Sequence, residues 1–479
     1  MNKSSLIESF RTFSQKEMKE FSEFVSSPFF NKNVNVIRLF ELIRKNYPDF
    51  EPSKIEKEKV FAKLFPGKPF KDSSLRLLMY YLYELVEKFL SYNRFNNNKF
   101  RQKDNLLDEL FERKLFKDFE KTIDEANKEL DEIVAKDSNY FRNRYVFAEH
   151  RLNYLAEIYM GKYEKYLTKE NIQLFSDNIT YFYLISVLKY YAITLNTMYL
   201  YNVKVDTAVI ENILKNFSIE QFSGVPLITI YYRVILLFLN PDDEENYYKL
   251  KELIINHEQE IGHTLGDLYI NLENYCVRNA RKGNHKFLEE SLNIYEMELR
   301  KGTYYQNGFM PNSFFSSFVV TASRLKKFER LRKFINDYKD ELHEDSREAY
   351  YFYSMAFTEY EEGNFEKALE YLAKSKPEEV YMKMDLRILQ SRIYYSLNWN
   401  IPLQSLLDTF KKTVQNNKYI TDLRKEQYNK FIKYTNQLNN IRFKSDKASA
   451  DTMLDDLKRG DFFTYKLWVE DEARKLAEI

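Results

Sequence analysis

Apolar residues return every three or four positions along almost the whole chain, the period of a helix and not of a strand. Met18, Phe21, Phe24 and Val25 share one face behind a capping box, Ser14 to Glu17, and Pro28 stops that helix in "SSPFFN". Val36, Leu39, Phe40 and Ile43 mark a second helix, closed before Tyr47-Pro48. Another S-x-x-E, Ser53 to Glu56, opens a third helix through Val60, Phe61 and Leu64, which ends at Pro66-Gly67. Leu75, Leu78, Leu82, Leu85 and Phe89 carry a fourth. The pattern predicts a small four-helix domain over 1–95, with Phe29 and Phe30 anchoring a loop. "PGKPFKD" is too long, and too rich in proline, to be the turn of a DNA-reading helix-turn-helix. The outward positions of the fourth helix (Arg76, Tyr80, Glu84, Glu87, Lys88) also mix their signs.

"YNRFNNNKFRQKD" is polar and asparagine-rich, which predicts a linker at 96–104. From 105 to 440 helical patterns alternate with breaks spaced about 15–25 residues apart, as helical hairpin arrays produce. Aligning Gly283 with Gly363 matches Leu288 with Ala368, Leu292 with Leu372 and Cys276 with Ala356. The following hairpin places Ser391 at that small position and Asn398 where the glycine stood, and a more degenerate hairpin fits at Ser313 to Tyr338. Two antiparallel helices, a Gly or Asn turn and a small residue at the crossing are what stacking requires, because each hairpin must cover the apolar face of the one before.

Composition sharpens this reading. Only 10 Gly and 10 Pro occur in 479 residues, too few for the turns of sheets or the phosphate loops of dinucleotide-binding folds. The 39 Tyr and 39 Phe imply an aromatic interior. With 73 basic and 72 acidic residues the net charge is +1, without the basic excess of a general nucleic-acid binder. Cys276 is the sole cysteine, which excludes an intramolecular disulfide and fits the cytoplasm. "MNKSSLIESFRTF" places Glu8 and Arg11 where an export signal needs an apolar core. Ile179 to Val203 is long enough to span a bilayer, but Ser186, Lys189, Thr194 and Asn196 interrupt it and its tyrosines are not belted at the ends. A buried repeat helix is expected there, with no membrane partner.

"YFYSMAFTEYEEGNFEKALEYLAKSKP", Tyr351 to Pro377, resembles the tetratricopeptide-repeat family at Ala356, Gly363, Phe365, Ala368, Leu372 and Pro377. Pro377 arrives about a turn early and Glu359 stands where the family usually has tyrosine. The resemblance is clearest over 265–417 and only generically helical-repeat-like over 103–262. It implies an all-α fold, an α-solenoid of antiparallel helical hairpins (TPR-like) behind the N-terminal domain. It further implies that first helices line a concave, partner-binding surface, carrying Tyr350, Tyr353, Phe357 and Tyr360, with Arg392 and Tyr395 in the next repeat. Helical spacing independently sets the first four on one stripe. Such a stripe can instead pack internally, and the groove can be filled by the chain's own tail.

Motifs for chemistry are sparse. No phosphate-cradling G-x-x-x-x-G-K-[ST], no G-x-G-x-x-G and no G-x-S-x-G can be written from this chain. His257 and His263 in "HEQEIGH" are six apart with Gly262 between them, not the four of a zinc helix. The acidic "NPDDEEN" reads as a helix start, and Cys276 as a buried thiol. No cofactor, no metal and no enzyme activity is expected. Among Arg324, Lys326, Lys327, Arg330, Arg332 and Lys333, the helical period aligns Lys326, Arg330 and Lys333 as a basic face. The acidic "DELHEDSRE" beyond it favours a solvated surface. At 441–479 a polar joint precedes Phe462, Phe463, Tyr465, Leu467, Trp468 and Val469, which form a cap or a partner-binding helix. The expectation is a non-catalytic, cytoplasmic scaffold that binds a protein or peptide on an aromatic concave face. The alternatives are a ligand-responsive regulator whose N-terminal helices act on a target, and nucleic-acid binding through the local basic face.

Overall fold

The structure, a computed structural model, describes residues 1–201, 203–215, 218–281, 283–305, 308–444, 446–460 and 463–478. Among the described residues there is no strand, and the chain is all-α. The helices are α1 (Ser5–Arg11), α2 (Gln15–Ser26), α3 (Val34–Arg44), α4 (Lys57–Leu64), α5 (Asp72–Asn96), α6 (Lys99–Glu112), α7 (Phe116–Asp131) and α8 (Ser138–Ile158). They continue with α9 (Lys169–Tyr201), α10 (Ala208–Lys215), α11 (Pro226–Leu239), α12 (Glu244–Asn256), α13 (Glu258–Ile261), α14 (Leu265–Arg281), α15 (Lys286–Lys301) and α16 (Asn312–Arg324). The last are α17 (Phe328–Tyr338), α18 (Glu344–Glu361), α19 (Phe365–Lys374), α20 (Val380–Ser396), α21 (Asn400–Asn416), α22 (Asp422–Lys444), α23 (Lys447–Arg459) and α24 (Lys466–Glu478). Two compact units result, one of residues 1–132 and 143–176, the other of 133–142 and 177–479.

The first unit packs α1 to α5 around a phenylalanine cluster in which Phe21 meets Phe40 and Phe89 edge-on at 5.0 and 5.2 Å. The Ser14–Glu17 capping box forms as its spacing predicts. Four features differ from expectation. Helix α1 precedes the expected four, because Leu6, Ile7 and Phe10 are enough to bury a seven-residue helix against α5. Ser53 caps nothing: α4 starts at Lys57 behind Glu56, and Glu51 is drawn to Lys54. Phe29 is 88% exposed, while its neighbour Phe30 stacks on Phe24 at 3.9 Å. The asparagine-rich stretch is helical over most of its length, with only Asn97 and Asn98 between α5 and α6, because the Asn98 side chain caps α6 at the Arg101 amide.

In the second unit neighbouring helices pair: α11 with α12, α14 with α15, α16 with α17, α18 with α19, and α20 with α21. One backbone device closes four of these hairpins, and the α6–α7 hairpin of the first unit as well. Gly283, Lys326, Gly363, Asn398 and Lys114 have φ of 93°, 55°, 87°, 57° and 58°. The left-handed residue turns the next amide back onto the carbonyl five residues earlier, satisfying a helix end. The bonds are Asn284 to Asn279 (3.1 Å), Lys327 to Ala322 (3.0 Å), Asn364 to Glu359 (2.8 Å), Trp399 to Tyr394 (2.9 Å) and Leu115 to Leu110 (2.9 Å). Seven positions before the turn residue sit Cys276, Val319, Ala356 and Ser391 in the second unit, all buried. A helical-repeat fold is compatible with this pairing.

Glu359 is fully buried and has a specific role. Burial pushes its carboxyl up, but Lys367 (2.8 Å), Asn364 (2.9 Å) and Arg332 (3.0 Å) together hold it below the usual carboxylate range. It ties α17, α18 and α19 together.

Candidate functional site

The aromatic stripe of α18 is buried, and what covers part of it is the chain's own C-terminal segment. Tyr350, Tyr353, Phe357 and Tyr360 lie in the core shared with α16 and α20. Tyr350 stands at one end, where its hydroxyl donates to Glu379 Oε2 (2.9 Å). At the other end Arg392 of α20, only 4% exposed, is enclosed by rings: Tyr360 at 4.4 Å, Tyr465 at 4.8 Å, Trp468 at 5.6 Å and Phe357 at 5.7 Å from the guanidinium carbon.

One carboxylate answers Arg392, through its Nη2 to Glu361 Oε1 at 2.9 Å, while Nε and Nη1 find no partner among the described residues. Burial works against the charge, but the fields of Tyr360, Glu361 and Tyr465 outweigh it and keep the guanidinium protonated. Ring faces carry the remaining stabilisation, about 0.5–2 kcal/mol for each well-placed cation–π contact.

Trp468 completes the enclosure. Its Nε1 donates to the Tyr360 hydroxyl (3.1 Å), and its ring meets Tyr395 edge-on at 5.5 Å. Tyr395 is in turn backed by Arg442, 3.8 Å from its ring, which also donates to the Tyr395 carbonyl at 2.6 Å. Tyr465 has φ of 61°, in the left-handed region where a bulky side chain costs about 1–2 kcal/mol. The contacts with Arg392 and Tyr353 hold it there. Phe463 stacks on Tyr434 at 5.2 Å and Val469 is buried, so α24 is seated on α22 and α23 while Tyr465 and Trp468 reach α18 and α20. Phe462 lies outside the described residues.

The sequence-predicted residues Tyr353, Phe357, Tyr360, Arg392 and Tyr395 are therefore brought together, with Tyr350 one helical turn beyond. No local pattern signals Glu361 as the ion-pair partner or Tyr465 and Trp468 as the cover, because these meet across long sequence separations.

The basic face is not built as expected. Lys326 is the left-handed turn residue between α16 and α17, so it shares no helix with Arg330 and Lys333. Arg330 is paired with Glu296, Lys327 with Glu289 (2.6 Å) and Arg332 with Glu359 and Glu362, while Lys333 is exposed. Cys276 is fully buried, donates to the Tyr247 hydroxyl (3.1 Å), and burial pushes its thiol up to about 12. His257 contacts Glu260 (2.9 Å) and His263 contacts Asp137 (3.0 Å). Among the described residues no group of three or more His, Cys, Asp or Glu could hold a metal ion, and no helix is long and apolar enough to cross a membrane. No family model matches the chain, and neither a curated protein nor a solved structure matches it.

Proposed function

We propose that the chain is a non-catalytic scaffold of tetratricopeptide type that binds a protein or peptide on the aromatic surface of α18 and α20. The observation that carries this reading is the enclosure of Arg392 by Tyr360, Tyr465 and Trp468. A segment presenting a tyrosine and, three residues on, a tryptophan already sits on this surface, and acidic Glu470, Asp471 and Glu472 follow it. The partner is accordingly a short aromatic and acidic segment that replaces Tyr465 and Trp468 over Arg392. Rigid rings gain contact area at small entropic cost, and a buried arginine flanked by aromatics is the kind of group that dominates binding energy.

The experiment is affinity capture with the full chain and two variants. Tyr465→Ala/Trp468→Ala uncovers the surface and is expected to recover more of the partner than the unsubstituted chain does. Arg392→Gln, checked for unchanged helicity, is expected to lose it. Equal recovery by all three would overturn the assignment of the site.

A further inference from the structure

Several basic side chains near the Arg392 enclosure are answered by carboxylates, as Lys327, Arg330, Arg332 and Arg392 show. A cavity of about 280 Å³ in the same unit is lined by two arginines that are not. Its walls come from α14, α15, α16, α20, α22 and the segment Thr464 to Leu467. Arg324 and Arg424, both exposed, line it, as does Asp385. Among the described residues the Arg324 side chain has no hydrogen bond or ion pair, and the Arg424 guanidinium meets only the Gln427 side-chain oxygen, at 3.2 Å. Asp385 likewise has neither hydrogen bond nor ion pair there.

A half-buried carboxylate is normally paired, so the unpaired Asp385, with two arginines on the same lining that no carboxylate answers, marks where a ligand's groups belong. Two guanidinium forks suit the paired oxygens of a carboxylate or phosphate, and lysines would not fix that geometry. We infer that this cavity binds a small organic anion. Its carboxylate or phosphate head is held by Arg324 and Arg424, and a hydroxyl or amino group on its body donates to Asp385. Val277, Leu288 and Val320 supply an apolar wall for the carbon skeleton. Burial pushes the Asp385 carboxyl up to about 7, against the opposing charge of Arg424, so a donor from the ligand stabilises the ionised form. The site is separate from the protein-binding surface proposed above and does not rest on it.

The test is calorimetric titration of the full chain with citrate and with glycerol 3-phosphate, at an ionic strength held constant with sodium chloride. Tricarballylate, which is citrate without its hydroxyl, and inorganic phosphate are the comparison probes. At least one hydroxyl-bearing anion is expected to bind with a Kd of about 1 mM or tighter. A preference for citrate identifies a carboxylate head, and a preference for glycerol 3-phosphate a phosphate head. Arg324→Gln/Arg424→Gln should weaken binding roughly tenfold or more, the worth of one charge-assisted pair, with far-ultraviolet dichroism unchanged. Asp385→Asn should weaken the hydroxyl-bearing anion more than its hydroxyl-free counterpart. No heat above the chloride control from either anion overturns the inference. So does binding that the double arginine substitution leaves intact.

Discussion

Trp468→Ala removes the closing wall of the Arg392 enclosure without touching α18 or α20. The indole donates one hydrogen bond to Tyr360 at 3.1 Å, worth about 1 kcal/mol. Its face lies 5.6 Å from the Arg392 guanidinium, adding about 0.5–1 kcal/mol. The edge contact with Tyr395 at 5.5 Å and the tilted one with Phe431 at 6.0 Å add about 0.5–1.5 kcal/mol each. These terms share surface, so the net local loss is about 2–4 kcal/mol, equivalent to a roughly 30- to 800-fold rise in opening. The backbone strain at Tyr465 acts in the same direction, because its release favours departure. Hydrogen exchange followed by mass spectrometry reads this directly. Amides of 463–478 should exchange faster by that factor, while those of α14 and α15 keep their rates. Unchanged exchange at 463–478 would refute the energetic accounting. A uniform acceleration across the whole second unit would refute the claim that the segment is separable from the core.

Other tests address the scaffold. Lys326→Gly removes a left-handed, non-glycine turn residue and should stabilise by about 1 kcal/mol, whereas Gly363→Ala, at φ 87°, should cost about as much in urea melts. Glu273 and Glu298 form a buried pair: burial pushes both carboxyls up, and Glu298 pushes Glu273 further. The folded chain thus holds protons that the unfolded chain releases above a pH of about 4.3, so this contribution is full below that pH and is lost as pH rises through the folded values. Glu298→Gln should match the unsubstituted chain near pH 4 and be more stable than it near pH 8; parallel stability profiles would contradict this. Cys276 should resist iodoacetamide in the native chain and react only after denaturation, since its thiol is buried and pushed up to about 12.

Much of this architecture can be read locally. The 3.6-residue period, the Ser14–Glu17 box and the turn glycines Gly283 and Gly363 act within one or two helical turns, so they speak in the sequence. Asn398 could be aligned with those glycines because asparagine tolerates the left-handed region, but Lys326 and Lys114 occupy the same backbone position with no residue-type signal. Helix α1 was hidden by its brevity, and the Asn98 cap made a helix start out of an apparent linker. The site was half legible. The stripe from Tyr350 to Tyr360 follows from helical spacing, and Arg392 was implied only by the repeat resemblance carried into the next hairpin. That Trp468 donates to Tyr360, 108 positions away, depends on how hairpins stack, which no local pattern encodes. The same holds for the unmatched Arg324, Asp385 and Arg424, which only folding brings to one cavity.

The central claim is that the Arg392 surface is a recognition site that Tyr465 and Trp468 occupy. A labelled synthetic peptide matching residues 463–478 tests it most directly, titrated against the full chain, the Tyr465→Ala/Trp468→Ala variant, and that variant with Arg392→Gln added. The account predicts binding to the uncovered variant at least about tenfold tighter than to the unsubstituted chain, and loss of that binding when Arg392 is replaced. Equal affinity for all three chains, or none for the uncovered variant, would contradict it.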